Sequence, residues 1–186
     1  TWADQSQMTN THDQTSRMAN KLVALRDQLG SRHPDVLSLA NELALMYQDL
    51  GFFDAAEAYS REVNEGCREL LGAEHPYTLN SSNNLAILLD TMHCTAEAEQ
   101  LFRETLAGRR KNLGDRNANT LSTMLSLAQL LHRTGGLDEA EELYRTNLAL
   151  HTMQYGARHL DTLAIASDLA KLLEARGMLD ESEDLE

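Results

Sequence analysis

The chain has 186 residues, of which 42% are hydrophobic and only 5% aromatic, and its formal net charge is −13. Acidic residues outnumber basic ones 29 to 16, which argues against nucleic acid or an anionic membrane surface as the partner. No apolar run approaches about 18 residues, so no transmembrane helix is predicted, and the opening residues lack the basic and apolar blocks of a signal peptide.

The first residues, 1–12, show weak periodicity and are predicted to form a tail. A helix is expected over about 14–28, within a segment 13–28 that we interpret as the second helix of a partial preceding repeat. Met18 and Leu22 support this interpretation, because they occupy positions that recur in later second helices.

A period of 42 residues runs through the rest of the chain. It is carried by Leu-Gly pairs ending at Gly30, Gly72 and Gly114, by Tyr155-Gly156, and by a Leu-Ala pair in every repeat. A fixed period of this length is typical of stacked helical repeats, in which each unit contacts mainly its neighbours. The predicted repeats are 29–70, 71–112, 113–154 and an incomplete 155–186.

Each repeat is predicted to contain two amphipathic helices. First helices are expected at about 35–50, 77–92, 119–134 and 161–176, and second helices at about 54–70, 96–112 and 138–154. Glycines such as Gly51 end the first helices, and His33-Pro34 and His75-Pro76 precede their starts. Capping boxes are predicted at the starts of second helices, at Asp54/Glu57, Asp138/Glu141 and Asp180/Glu183.

The second repeat departs from this pattern, because His93 replaces the glycine and Ala96 replaces the capping aspartate. The third departs with Asn117-Ala118 in place of His-Pro. The chain starts and ends inside a repeat, so we expect a fragment of a larger protein.

The repeat register also explains residue types that would otherwise suggest chemistry. His33, His75 and His159 share one repeat position and are expected to be turn or cap residues, and the other histidines lack metal-ligand spacing. No metal, cofactor or catalytic residue is therefore predicted. Cys67 is expected to be a buried residue of a second helix, whereas a reactive surface thiol stays open for Cys94. The Arg109-Arg110-Lys111 cluster is either a solvated helix end or a docking patch.

The run Gly135-Gly136-Leu137-Asp138-Glu139-Ala140 resembles the tetratricopeptide repeat (TPR). Small residues fit the same pattern, at Ala44, Ala86, Ala128 and Ala170 in first helices and at Ala56, Ala98, Ala140 and Ser182 in second helices. The 42-residue period, the His-Pro pairs and the Asn83-Asn84-Leu85-Ala86 segment resemble the longer repeat of kinesin light chains. The resemblance implies an all-α, right-handed superhelical solenoid of antiparallel helix hairpins.

In TPR arrays the first helices line a concave groove that takes a peptide or a partner helix. Carried over to this sequence, the resemblance implies groove residues Asn41, Leu45, Asp49, Asn83, Asn84, Ile87, Thr91, Leu125, Gln129, His132, Arg133, Asp168 and Lys171. The asparagines are suited to hydrogen-bonding a peptide backbone, since an amide both donates and accepts. The alternative for each residue is a solvated polar helix face.

The function implied is non-catalytic protein–protein binding, of the kind a cargo adaptor performs. Because Glu42, Asp49, Asp90 and Asp168 offset Arg133 and Lys171, the partner is expected to be a neutral to mildly basic protein or peptide. Unmatched cysteines indicate a reducing, cytoplasmic setting. The alternatives are a regulatory or sensor arm of a larger signalling protein or enzyme, and self-association through end helices.

Overall fold

The computed structural model describes the backbone of residues 2–178 and the side chains of residues 14–178. Over this range the chain forms eight α-helices: α1 (Trp2–Leu29), α2 (Pro34–Asp49), α3 (Phe53–Leu71), α4 (Pro76–Thr91), α5 (Thr95–Leu113), α6 (Ala118–Thr134), α7 (Leu137–Tyr155) and α8 (Leu160–Ala175). The predicted first helices are α2, α4, α6 and α8, and the predicted second helices are α3, α5 and α7. Each lies within about one residue of its expected bounds, so the all-α prediction is confirmed.

The N-terminal helix differs from expectation, because α1 begins at Trp2 and includes the residues that were predicted to be a tail. The chain has no glycine or proline before Gly30, so nothing in its backbone chemistry stops the helix there. The hydrophobic periodicity of residues 1–12 is too weak to predict that the helix extends through them. The capping box predicted at Asp180/Glu183 and the small residue Ser182 lie outside the described residues.

The chain divides into two compact units, residues 1–92 and residues 93–186. In the first unit each helix packs on the next, α1 on α2, α2 on α3 and α3 on α4. The second unit repeats this order from α5 to α8, and its two first helices, α6 and α8, also contact each other. These are sequential helix hairpins, as expected for a stacked repeat.

The helix starts confirm the predicted role of the repeated histidines. His33 Nδ1 accepts a hydrogen bond from the backbone N–H of Asp35 at 3.2 Å, and His75 and His159 cap α4 and α8 in the same way. Asn117 replaces histidine at the start of α6, and its Oδ1 accepts from the Asn119 N–H at 2.9 Å. Four different first helices therefore satisfy the same exposed N–H group with a side chain.

The predicted capping boxes of α3 and α7 are wrong. The two helices begin one residue earlier than expected, and their N-cap residues, Phe52 and Gly136, make no side-chain cap hydrogen bond. Asp54 and Asp138 lie instead within the first helical turn, where the helix dipole still favours negative charge. The Glu57 and Glu141 carboxylates pair with arginines one turn further along, at Arg61 and Arg145.

Small residues lie where neighbouring helices approach closely. Ala86 and Ala128 in first helices, and Ala56, Ala98 and Ala140 in second helices, are completely buried. Ala44 and Ala170 are buried at the equivalent positions of α2 and α8. This agrees with the small-residue pattern of the sequence, since a larger side chain would hold the helices apart.

The remaining sequence-wide expectations concern cysteines and membranes. Cys67 is buried in α3 and Cys94 is exposed before α5, and both are free thiols. Burial raises the pKa of Cys67, which makes this thiol less reactive. Across the part of the chain that the structure describes, every helix is too short or too polar to span a bilayer.

Candidate functional site

Helices α2 and α6 each bury two sides against flanking second helices and expose a third. In α6, for example, Leu121, Met124 and Leu127 are buried, whereas Ser122, Gln129 and Arg133 are exposed. We call the exposed and half-buried stripe of α2, α4, α6 and α8 the first-helix face. The predicted groove residues that lie on it are available to a partner, and each unit presents its own part.

In the first unit, the first-helix face is rich in amides and partly apolar. Asn41 and Asn84 are half-buried, on α2 and α4 respectively, and Asp49 is exposed. Leu45 is 43% exposed and Ile87 is 37% exposed, so both apolar side chains are open to contact. Thr91 is also exposed, although its hydroxyl already donates to the Ile87 carbonyl at 2.9 Å.

Asn83 is the exception among the predicted groove residues. It is only 7% exposed, because α4 buries three successive residues at this level, Ser81, Ser82 and Asn83. The exposed stripe is therefore narrower here than in α2 or α6, where Asn41 and Leu125 occupy the equivalent position and stay half-buried. Asn83 is not part of the first-helix face, and the prediction that included it needs this correction.

In the second unit, the structure brings three predicted residues into one hydrogen-bonded group. Gln129 Nε2 of α6 donates to Asp168 Oδ2 of α8 at 2.9 Å, and Lys171 Nζ lies 3.3 Å from Asp168 Oδ1. These residues are 39 and 3 positions apart in sequence, so helix packing has aligned the two first helices. The group forms a polar bridge between α6 and α8.

A buried tyrosine from the second helix lies beneath this polar bridge. Tyr144 of α7 is 1% exposed, and the ring of His132 meets it edge-on with centroids 6.2 Å apart. Burial raises the pKa of Tyr144, with a further rise from Asp168 and an opposing influence from Arg133. Side chains from two first helices thus converge on Tyr144, while Leu125 lies half-buried on α6.

Sequence reasoning placed Tyr144 only in the apolar stripe of its helix. Alignment of the repeats shows a difference at this position, since the residue equivalent to Tyr144 is Phe102 in the preceding repeat. A tyrosine where a neighbour carries phenylalanine adds a hydroxyl, and buried hydroxyls are found near polar partners. This comparison would have pointed to the polar groups above Tyr144.

The basic cluster also needs correction. Arg109 is 4% exposed and lies between α5 and α6, where it donates to the Asn119 carbonyl at 2.8 Å and to the Thr123 hydroxyl. Burial lowers the pKa of Arg109. Only its neighbours behave as a solvated helix end: Arg110, for example, is exposed and pairs with Asp115 at 2.8 Å. Arg109 is equivalent to Cys67 in the preceding repeat, and the predicted burial of Cys67 would have predicted the burial of Arg109 as well.

The electrostatics of the first-helix face differ between the units. Helices α2 and α4 contain Asp35, Glu42, Asp49 and Asp90 and no lysine or arginine. The face of the second unit carries Arg133 and Lys171 together with Asp168. Among the described side chains, His, Cys, Asp and Glu do not gather in threes as a metal ion would require. The first-helix face therefore presents amide, charged and apolar side chains that a partner can contact.

Comparison with solved structures places this architecture among kinesin-light-chain-like repeats. Nearly identical TPR-like repeats described as kinesin light chain from Podosopora anserina superpose with a TM-score of 0.85 at 25% identity, covering 96% of this chain and 84% of that one. A second structure of those repeats gives 0.84 at 26% identity, over 96% and 85%. BtubC (BKLC) from P. vanneervenii shares the fold, with a TM-score of 0.84 at 19% identity over 97% and 72%.

No curated protein matches the sequence. The tetratricopeptide repeat family, in contrast, matches residues 35–111, 91–146 and 118–186. Together these matches cover most of the chain, and they coincide with the helix hairpins described above. The chain therefore belongs to the tetratricopeptide repeat family.

Proposed function

We propose that this chain is a protein-interaction module, without chemistry of its own, that binds a peptide or a helix of a partner on its first-helix face. TPR repeats generally serve protein–protein interaction. The observation that supports the proposal most is the bridge from Gln129 to Asp168 and Lys171, which aligns the polar groups of α6 and α8. The likeness to kinesin light chain repeats extends the proposal to an adaptor that connects a cargo.

The charge of the face selects the partner's chemistry. Acidic residues on α2 and α4 are not balanced by basic ones there, and in the second unit Asp168 is already paired with Lys171. A neutral to mildly basic peptide meets this face without repulsion, whereas an acidic peptide does not. Binding of a basic peptide should weaken as salt rises, because exposed charges are screened.

A screen followed by a paired substitution tests the proposal. The full chain is immobilised and exposed to an array of peptides of negative, zero and positive net charge, and the dissociation constant of a selected peptide is measured by fluorescence anisotropy. Gln129→Ala should raise that constant by about 5-fold to 10-fold, the loss expected for a hydrogen-bonding residue in the contact. Selection of acidic peptides alone would contradict the charge argument.

The chain offers a matched control for Gln129. Gln100 is also exposed and also donates to a carboxylate, Glu104 at 3.0 Å, but it lies on the second helix α5. Gln100→Ala should leave the dissociation constant within about twofold, since a surface change away from the contact has little effect. Equal effects of the two variants would show that the peptide does not bind the first-helix face.

We also assign the chain to the cytoplasm. Cys67 and Cys94 are both free thiols, as a reducing compartment favours. Fluorescence microscopy of the tagged chain in cells checks this assignment, and secretion of the protein would contradict it.

A further inference from the structure

The interfaces between successive repeats differ in chemistry although they share one geometry. We use the word junction for the packing of a second helix on the following first helix, as in α1 on α2, α3 on α4 and α5 on α6. Positions 22, 64 and 106 are equivalent on the second helices, as are positions 39, 81 and 123 on the first helices. Comparing equivalent positions therefore compares one junction with another.

The junction between α1 and α2 is apolar. Leu22 is completely buried in a cluster with Val36, Leu39 and Ala40, and Leu25 packs against the same cluster. None of these clustered side chains has a polar group that needs a particular partner. Any second helix with leucines at the same positions fits it equally well, because apolar contact is not directional.

The junction between α3 and α4 is polar at the same positions. Asn64 is 7% exposed, and its Nδ2 donates to Ser81 Oγ at 3.1 Å and to Ser82 Oγ at 2.6 Å. Ser81 donates in turn to the Thr78 carbonyl at 2.9 Å. The asparagine on one helix thus has its hydrogen-bond partners on the other.

The junction between α5 and α6 has a third chemistry. Position 106 is leucine again, but the buried Arg109 occupies the place of Leu25 and Cys67. Arg109 reaches the Asn119 carbonyl and the Thr123 hydroxyl of α6, and Thr123 is equivalent to Leu39 and Ser81. At the α3–α4 and α5–α6 junctions, a polar side chain of the second helix therefore contacts polar groups of the following first helix.

Pairing shifted by one repeat would break these matches. If α3 took the place of α1 at the junction with α2, the Asn64 amide would be buried against Leu39 and Ala40. If α1 took the place of α3 at the junction with α4, Ser81 and Ser82 would be buried against Leu22. A buried polar group without a partner is strongly unfavourable, whereas matched groups are stabilising. Shifted or swapped pairing is a characteristic error of repeat proteins, since every unit has nearly the same shape.

We propose that the polar side chains buried at the α3–α4 and α5–α6 junctions specify which first helix α3 and α5 accept, so that the order of these repeats is encoded in the side chains and not only in chain connectivity. Asn64 with Ser81 and Ser82 marks one junction, and Arg109 with Thr123 marks another. The α1–α2 and α7–α8 junctions are apolar at the equivalent positions, which hold Leu22, Leu39 and Ala40 in the first and Leu148, Ile165 and Ala166 in the second.

The test makes two junctions of the full chain alike. Asn64→Leu, Ser81→Leu and Ser82→Ala together give the α3–α4 junction the residues found between α1 and α2. This triple variant should keep its helix content, but after refolding from urea at about 10 to 100 µM its monomer fraction should fall to about half, with dimers and larger species in size-exclusion chromatography. A triple variant that refolds to monomer as completely as the wild type overturns the proposal.

A second variant separates repeat order from stability. Adding Leu22→Asn, Leu39→Ser and Ala40→Ser to the triple variant moves the polar group to the α1–α2 junction, so that the two junctions differ again. Monomer recovery should return towards the wild-type value. If it does not, although this variant folds, difference between junctions is not what guides refolding, and the proposal is overturned.

A smaller set of variants keeps the proposal falsifiable if the triple variant fails to fold. Asn64→Leu and Ser82→Ala are made singly and together, and the urea midpoint of each is measured. The double variant should lose clearly less than the sum of the single losses, because the two residues are partners. Strictly additive losses would show that they do not act as a matched pair.

Discussion

His93 lies in the turn after α4, at the repeat position that Gly51 and Gly135 occupy elsewhere. Its φ of 63° is in the left-handed region, and it is the one non-glycine residue there among those the structure describes. A residue with a Cβ atom is strained in this conformation, by about 1–2 kcal/mol.

Replacing His93 by glycine should therefore stabilise the protein. We expect His93→Gly to raise the free energy of unfolding by about 0.5–1 kcal/mol, once the greater freedom of glycine in the unfolded chain is included. Urea denaturation checks the value. Gly135→Ala, at the equivalent turn with φ of 89°, is the matched reverse change and should lower it by about 1 kcal/mol. A destabilising His93→Gly would contradict the strain argument.

Arg109 and Arg110 are adjacent in sequence and should respond very differently to substitution. Arg109→Ala removes the buried guanidinium that donates to the Asn119 carbonyl and the Thr123 hydroxyl, together with packed methylene groups. We expect it to lower the free energy of unfolding by about 2–3 kcal/mol. Arg110→Ala removes an exposed ion pair with Asp115 and should cost no more than about 0.5 kcal/mol. Similar losses for both would refute the burial of Arg109.

At the scale of the helix, most boundaries could be predicted from the sequence and some caps could not. Glycine and His-Pro pairs mark helix ends by backbone chemistry alone, which is why the predicted bounds of α2 to α8 were accurate. The capping boxes failed for a local reason. Backbone hydrogen bonds close the preceding turn, as from the Phe52 N–H to the Tyr47 carbonyl at 2.8 Å. Helix α3 therefore has Phe52 as its N-cap, two residues before the Asp54 N-cap that the sequence motif requires.

The N-caps of the first helices should tolerate exchange between histidine and asparagine. Asn117 does for α6 what His75 does for α4, by accepting from the N–H two residues on. His75→Asn should therefore change the free energy of unfolding by less than about 0.5 kcal/mol, whereas His75→Ala should lower it by about 1 kcal/mol. Thermal and urea unfolding measure both. Equal losses would show that stacking on Tyr77, with ring centroids 5.7 Å apart, matters more than the cap.

For the whole molecule, the sequence period gives the fold, but contacts between helices need the structure. The bridge from Gln129 to Asp168 spans 39 positions and depends on how α6 and α8 approach, which no single repeat encodes. The burial of Asn83, which is 7% exposed, is likewise visible only in the structure. Periodicity alone cannot predict which polar positions of a first helix are exposed and which are buried. It indicates which side of a helix is apolar, but not how wide the exposed stripe is.

We propose that partners bind the first-helix face and not the second helices. Amide chemical-shift mapping of the full 20.8 kDa chain with a selected peptide tests it most directly. We predict that the largest shifts lie on exposed positions of α6 and α8, around Gln129 and Lys171, with others around Asn41 and Asn84. Shifts concentrated instead on the exposed positions of α5 and α7, such as Gln100 and Arg145, would contradict the claim.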